Sequence, residues 1–206
     1  MTTSQATLTP STDQTPAVVE VSNELSGAQW VGRFPGSAST SDLAGSFQSA
    51  ADNFLAALRQ AGATVIISAT LRPAERAYLM HWSWKIVQGT APSSVPAKDG
   101  VNIEWAHSSD SASIQAAQDM VNSYGMAGLG VAPSLNSRHT QGNAIDMSIS
   151  WSRNLSIVNA SGATVAITST PRTGMNTDLH AVGARYGVIK YQGSGTDRPH
   201  WSNDGR

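Results

Sequence analysis

The apolar residues in the first half of the chain recur mainly at the spacing of an amphipathic helix. Between residues 41 and 61 they fall at positions 47, 54, 55 and 58, and Gly62 is placed to end the helix. A second helix is predicted from Pro73 toward Gly89, and a third over residues 111–124. Later in the chain, Asn176 can cap a last helix that stops at Gly187.

Strand patterns cluster in the second half of the chain. Residues 143–149 alternate, with Ile145, Met147 and Ile149 on one face and Asp146 on the other. Further short strands are predicted on either side of the turn Ser161-Gly162, over 188–191, and as an earlier buried strand over 64–70. Helices therefore come first and strands follow. This order predicts an α+β fold: a small, mainly antiparallel sheet with helices packed against it.

The N-terminal segment differs from the rest in composition. Residues 1–16 hold eight Ser or Thr and two Pro, with little apolar surface to bury. Such a composition is typical of a flexible arm. We therefore predict an arm over residues 1–28 and one folded domain over residues 29–206 of the 206-residue chain.

Charge and residue usage exclude several classes of partner. A net charge of −1 gives no electrostatic reason to expect nucleic-acid binding. No run approaches the ~20 apolar residues of a membrane span. There is no cysteine, so a metal would need His and carboxylate ligands. No Lys or Arg precedes Arg33 and no apolar core follows Met1, so we expect no secretory signal.

Two compact clusters hold the residues suited to metal chemistry. The segment 137–146 contains His139 and Asp146, and the segment 197–201 contains Asp197 and His200. Two imidazoles and one carboxylate are the ligand set of a catalytic zinc that keeps a position open for water. Asp197 could act on that water, which points to metal-assisted hydrolysis. Taken singly, Asp146 could instead cap a turn, and Asp197 could open the turn before Pro199.

The other histidines and the tryptophans are weaker candidates. His81, His107 and His180 fit packing or surface positions better than ligand positions. Trp105 and Trp151 are expected in the core. Trp201 adjoins His200 and is expected to line a groove for substrate.

The first cluster carries a specific pattern. Ser137, His139, Gly142, Ala144 and Asp146 match Ser-x-His-x-x-Gly-x-Ala-x-Asp at every fixed position. The pattern resembles the signature of zinc peptidases that act on cell-wall peptides, the VanY-like D-alanyl-D-alanine carboxypeptidases and L-alanyl-D-glutamate endopeptidases. The resemblance spans roughly residues 30–206 and implies the same α+β fold with a zinc cleft on the sheet.

Two further segments extend the resemblance. Asp197-x-x-His200 is similar to the family's second motif, which carries the acid/base and the last ligand. Residues 68–76 resemble its strand-turn-helix segment, whose arginine, here Arg72, contacts substrate.

Ordinary site chemistry suggests a role for each of these residues, in line with the resemblance. One Zn²⁺ per chain would be held by His139, Asp146 and His200, with Asp197 as general base and then general acid. Arg72 would stabilise the oxyanion or hold a substrate carboxylate, or else form a surface salt bridge with Glu75. Ser137 would bind substrate, or only cap its turn.

The implied substrate is the stem peptide of bacterial peptidoglycan. Many carboxypeptidases of the group have Glu where this chain has Asp197, so an L-alanyl-D-glutamate-type or crosslink-cutting endopeptidase is expected, with a D-alanyl-D-alanine carboxypeptidase as the alternative. A non-catalytic wall-binding or virion module is the alternative of another class. Without a signal, the protein would be made in the cytoplasm and reach the wall as a phage lysin or as a secreted effector, with a delivery or immunity protein as partner.

Overall fold

The computed structural model describes residues 22–193 and 197–206. Its helices are α1 (Gly45–Gln60), α2 (Ala74–Val87), α3 (Asp110–Ser123) and α4 (Thr177–Arg185). Its strands are β1 (Glu24–Leu25), β2 (Thr64–Ala69), β3 (Ile103–Glu104), β4 (Ala144–Ser150), β5 (Leu155–Val158), β6 (Thr164–Ile167), β7 (Ile189–Lys190) and β8 (His200–Ser202).

The central sheet is four-stranded, in the order β2-β4-β8-β7, and every pair in it is antiparallel. β5 and β6 form a separate antiparallel hairpin, and β1 pairs with β3 in parallel. The predicted α+β class with small, mainly antiparallel sheets is confirmed. Among the described residues, no helix has the length and apolar character needed to cross a membrane.

The main core lies on one face of the central sheet. The alternation predicted for β4 is confirmed, because Ile145, Met147 and Ile149 are buried there. α1 packs on this face through its apolar stripe, which includes Phe54 and Leu58. Burial of this kind contributes roughly 25 cal/mol per Å² of apolar surface.

A second apolar cluster lies between α2 and α3. It is built around Tyr78, Leu79, Trp105 and Met120, and Trp30 packs against it. Trp105 donates its indole N–H to the hydroxyl of Tyr78 at 3.1 Å, which satisfies a buried polar group. The expectation that Trp105 and Trp151 are core residues is confirmed.

The predicted end of α4 and its cap are also confirmed. The side-chain oxygen of Asn176 accepts hydrogen bonds from the backbone N–H groups of Asp178 and Leu179. Gly187 follows the helix with a φ of 82°, a conformation that favours glycine.

The earlier strand is an edge strand, and the expectation that it is buried was wrong. Among the described residues, β2 pairs only with β4, and its residues alternate between half-buried and exposed. Ile66 is 63% exposed because it faces away from the core. A run of apolar residues does not by itself reveal whether both faces of a strand are covered.

Most of the predicted N-terminal arm, residues 1–21, lies outside the described residues. Its last part includes Glu24 and Leu25, which pair with Ile103 and Glu104. Two-residue strands carry too little periodicity to be found from sequence.

Gly183 is expected to be intolerant of a side chain. A Cβ at this position would lie 2.7 Å from the carbonyl oxygen of Val188 and 2.8 Å from the ring of Trp201. Gly183→Ala should therefore lower the free energy of unfolding by about 1–3 kcal/mol, as overpacked cores do. Urea unfolding measures this change.

Gly45→Ala is the matched control, because nothing lies within 4 Å of a Cβ there. It should leave the unfolding free energy unchanged or raise it by up to ~1 kcal/mol, since alanine is the better helix former. Equal stability of Gly183→Ala and wild type would contradict the packing described around α4.

Candidate metal centre

Strand pairing places two of the three candidate ligands side by side. Asp146 on β4 lies directly opposite His200 on β8 in the antiparallel register. Directly opposed residues project to the same face of a sheet. That face is opposite the core, because the neighbours Ile145 and Trp201 point into the core.

A tight turn brings His139 to the same place. Gly142 has a φ of 68°, and a Cβ there would lie 2.9 Å from the backbone nitrogen of Ala44. Glycine therefore allows the turn to approach the start of α1, where Ala44 donates its N–H to the Gly142 carbonyl. The carbonyl of His139 itself accepts a hydrogen bond from the backbone N–H of Arg72 at 3.1 Å.

The three side chains meet at a single point. The Nε2 atom of His139, the Nδ1 atom of His200 and the Oδ1 atom of Asp146 are each 3.1 Å from the other two. Ligand atoms around a tetrahedral ion with bonds of about 2.0–2.1 Å are separated by roughly 3.3–3.4 Å. The side chains of His139 and His200 are 6% and 7% exposed. This His-Asp-His group could therefore hold a metal ion.

In both imidazoles, the nitrogen that points away from the cluster is hydrogen-bonded to a backbone carbonyl. Nδ1 of His139 lies 2.7 Å from the carbonyl oxygen of Thr70, and Nε2 of His200 lies 2.9 Å from that of Arg206. A carbonyl only accepts, so these nitrogens carry the protons. In neutral imidazoles the inward nitrogens then present lone pairs, and three acceptors converge unless a cation lies between them. Such outer hydrogen bonds orient metal-binding histidines.

The charges of the cluster reinforce one another. Burial alone would raise the pKa of Asp146, but hydrogen bonds with His139 and His200 outweigh burial and hold that pKa below its ordinary value. Burial would lower the pKa of His200, but the bonds with Asp146 and the Arg206 carbonyl raise it above its ordinary value. Asp146 therefore remains an ionised carboxylate, the form that binds a cation.

A cleft of about 710 Å³ opens over the three ligands. Charged residues border it, among them Asp197 and Arg72. A loop containing Leu129, Val131 and Pro133 borders it as well. Polar groups concentrated in a partly apolar cleft are typical of ligand-binding sites.

Asp197 lies in this cleft beside the ligands. Its carboxylate oxygen is 3.8 Å from Nδ1 of His200, and its side chain is 48% exposed. It thus faces the centre without being one of the three converging groups.

Arg72 is also in the cleft, and the alternative salt bridge with Glu75 is not formed. Within the part of the chain that the structure describes, its guanidinium has no hydrogen-bond or ion-pair partner. Burial lowers the pKa of Arg72, while the charges of Asp146 and Asp197 oppose that effect. The guanidinium is therefore partly desolvated and lacks a protein acceptor, which suits it to bind an anionic oxygen.

Two roles for Ser137, substrate binding and turn capping, are compatible with its place in the structure. It lines the cleft, and its hydroxyl oxygen accepts a 3.3 Å hydrogen bond from the backbone N–H of Thr140. The turn-capping interaction is therefore present in the structure, and the role in substrate binding stays a prediction.

The expectation that Trp201 lines the site was wrong. Its side chain is 0% exposed and packs in the main core, where its ring centroid lies 5.6 Å from that of Phe54. Successive residues of a strand point to opposite faces, so the neighbour of a ligand on β8 must face the core. The aromatic residue at the site is Tyr191, whose ring centroid is 5.7 Å from that of His200.

The remaining histidines do not join the cluster. His81 bonds to the Pro133 carbonyl, His107 to the hydroxyl of Ser26, and His180 to the Gly174 carbonyl. Lys190, which no local sequence pattern indicates, is buried and donates to the backbone carbonyls of Asp197, Arg198 and His200.

Comparison with known proteins gives no relative. No family model matches the chain, and no curated protein or solved structure does so either.

We expect the protein to bind one divalent transition-metal ion per chain. Asp146→Ala and His139→Ala should each weaken binding by more than the roughly 10–100-fold that loss of an outer hydrogen-bond partner costs, because each removes a ligand. Isothermal titration calorimetry with Zn²⁺ measures the affinity. His107→Gln is the control, since it alters a histidine outside the cluster. Binding by the ligand variants as tight as that of wild type would place the ion elsewhere.

Proposed function

We propose that the protein is a zinc metallopeptidase that hydrolyses peptide bonds in peptidoglycan stem peptides. The observation that carries the proposal is the arrangement of His139, Asp146 and His200. Three protein ligands converge at the base of an open cleft, with the carboxylate of Asp197 beside them. Three ligands and an open position are typical of catalytic zinc, whereas structural zinc is closed by four protein ligands.

The donor set favours zinc among the common metals. Imidazole suits zinc, and magnesium and calcium prefer all-oxygen sites. Zinc held by these residues would supply Lewis-acid chemistry, which lowers the pKa of water to about 7 and polarises a carbonyl.

The neighbouring residues would carry the proton and the charge. The carboxylate of Asp197 would accept a proton from the attacking water and return one to the leaving amine. The guanidinium of Arg72 would donate hydrogen bonds to the carbonyl oxygen as negative charge develops on it. Ser137 and Tyr191 border the same cleft, where substrate would contact them.

The choice of a cell-wall substrate rests on the two motifs, 137–146 and 197–200, and on their resemblance to peptidoglycan peptidases. Asp197, rather than Glu, favours an endopeptidase of the L-alanyl-D-glutamate or crosslink-cutting type. One observation favours the second candidate, a D-alanyl-D-alanine carboxypeptidase. Arg72 has no acceptor of its own in the described structure, and a guanidinium fork matches a terminal carboxylate.

The direct test is digestion of purified peptidoglycan with the zinc-loaded protein, followed by mass spectrometry of the released fragments. Peptides freed at L-Ala–D-Glu, or cut crosslinks, would identify an endopeptidase. Loss of a terminal D-Ala would identify a carboxypeptidase. The chelated protein is the control, and no zinc-dependent product from any wall chemotype would contradict the proposal in favour of a non-catalytic module.

Asp197→Asn separates catalysis from metal binding. It removes the proton acceptor, so kcat should fall on the order of 10²–10⁴-fold. Zinc affinity should change little, because Asp197 is not one of the three converging ligands. Asp52→Asn is the matched control, since Asp52 is exposed on α1. An Asp197→Asn enzyme as active as wild type would exclude the assigned role.

Arg72→Lys tests which oxygen the guanidinium binds. Lysine keeps the charge but loses the fork, so bidentate recognition is lost. If Arg72 stabilises the oxyanion, kcat should fall by about 10²–10³-fold with KM nearly constant. A rise in KM at constant kcat would instead assign Arg72 to a substrate carboxylate. Unchanged kcat and KM would exclude both roles for Arg72.

A further inference from the structure

Lys190 is buried behind the metal centre, at the end of β7. Lys190 is 5% exposed, and its ammonium lies 5.5 Å from the centroid of the Trp201 ring. The ammonium donates hydrogen bonds to the backbone carbonyls of Asp197 (3.3 Å), Arg198 (2.7 Å) and His200 (2.9 Å). One side chain therefore binds three of the four carbonyls in the segment 197–200.

This arrangement satisfies every donor of a buried charge. An ammonium has three N–H donors and no acceptor, and burying it without partners is strongly unfavourable. The His200 carbonyl also accepts a hydrogen bond from the backbone N–H of Tyr191, whereas Lys190 is the donor that the carbonyls of Asp197 and Arg198 have among the described residues. Those two carbonyls therefore depend most on the ammonium.

His200 does not depend on Lys190 alone. It belongs to β8, where it pairs with Asp146, and its ring is held by the Arg206 carbonyl. The adjoining Pro199 carbonyl accepts a 2.9 Å hydrogen bond from the backbone N–H of Met147. Several contacts therefore fix the metal ligand.

Asp197 is held much less firmly. It precedes β8, and its hydrogen bond to Lys190 is the one its backbone makes to other described residues. Its side chain is half-exposed and forms no hydrogen bond there. Loss of the ammonium should therefore displace Asp197 more than His200.

We propose that Lys190 is a positioning residue, whose ammonium holds the backbone of residues 197–200 so that the carboxylate of Asp197 faces the metal ligands. This inference rests on the proposed function for its kinetic consequence, but the contact itself can be tested without turnover. Lys190 would not touch substrate.

Lys190→Met tests the proposal, because methionine keeps an apolar stem and removes the charge and its donors. On peptidoglycan fragments, kcat should fall about 10–100-fold, the scale of a misplaced catalytic group. KM and zinc affinity should change less than about threefold, since β8 still holds His200. Lys85→Met on α2 makes the same chemical change elsewhere and should leave kcat unchanged.

A second variant distinguishes the loss of the ammonium from a general disturbance of the fold. Lys190→Ala leaves room for a small cation, so added propylammonium should restore part of the lost kcat, and propanol should not. The positioning role would be overturned if zinc binding or cooperative unfolding were lost together with kcat and propylammonium did not restore kcat. Unchanged kcat in Lys190→Met would do the same.

Carbonyl ¹³C chemical shifts provide the readout that needs no activity. In Lys190→Met the shifts of Asp197 and Arg198 should move, because those carbonyls lose their hydrogen bonds, while the shift of Pro199 should not. Unmoved shifts at 197 and 198 would overturn the inference. If wild type fails to cleave peptidoglycan, the proposed function fails, and these shifts still decide the role of Lys190.

Discussion

The antiparallel pairing of β4 with β8 places Ile145 opposite Trp201 on the core face and Asp146 opposite His200 on the other face. A slip of one residue would exchange the faces, burying the carboxylate among apolar side chains and exposing the tryptophan. Burial of Trp201 and Ile145 therefore fixes the register, and the register places two of the three candidate metal ligands side by side. Packing of Ile145 and Trp201 in the core thus determines where their neighbours Asp146 and His200 lie.

Backbone carbonyls provide most of the polar support around the ligands. Those of Thr70 and Arg206 set the tautomers of the two imidazoles, and those of residues 197–200 surround the Lys190 ammonium. Carbonyls within a folded backbone move little, so when the imidazoles are neutral their lone pairs point inward, toward Asp146. Among the described residues, the side chains of Asp197 and Arg72 make no hydrogen bond, and both line the cleft.

Local patterns in the sequence predicted the elements that carry the site. Alternation located β4 and the outward direction of Asp146, and the two compact motifs hold the histidines and aspartates that the structure brings together. Three features depend on sheet order or long-range contacts that no local pattern encodes: the exposure of Ile66 on an edge strand, the pairing of β1, and the carbonyls around Lys190. The burial of Trp201 is different, because alternation along β8 already places it opposite His200. The expectation that Trp201 lines the site followed from its position next to His200 in the sequence and neglected this alternation.

A crystal structure of the zinc-loaded protein, with anomalous diffraction measured at the zinc edge, tests the central claim most directly. The expected result is one zinc per chain, bound at about 2.0–2.2 Å by His139, Asp146 and His200, with solvent at the remaining position toward Asp197. Zinc bound elsewhere, or a fourth protein side chain closing the coordination, would contradict an open catalytic metal site.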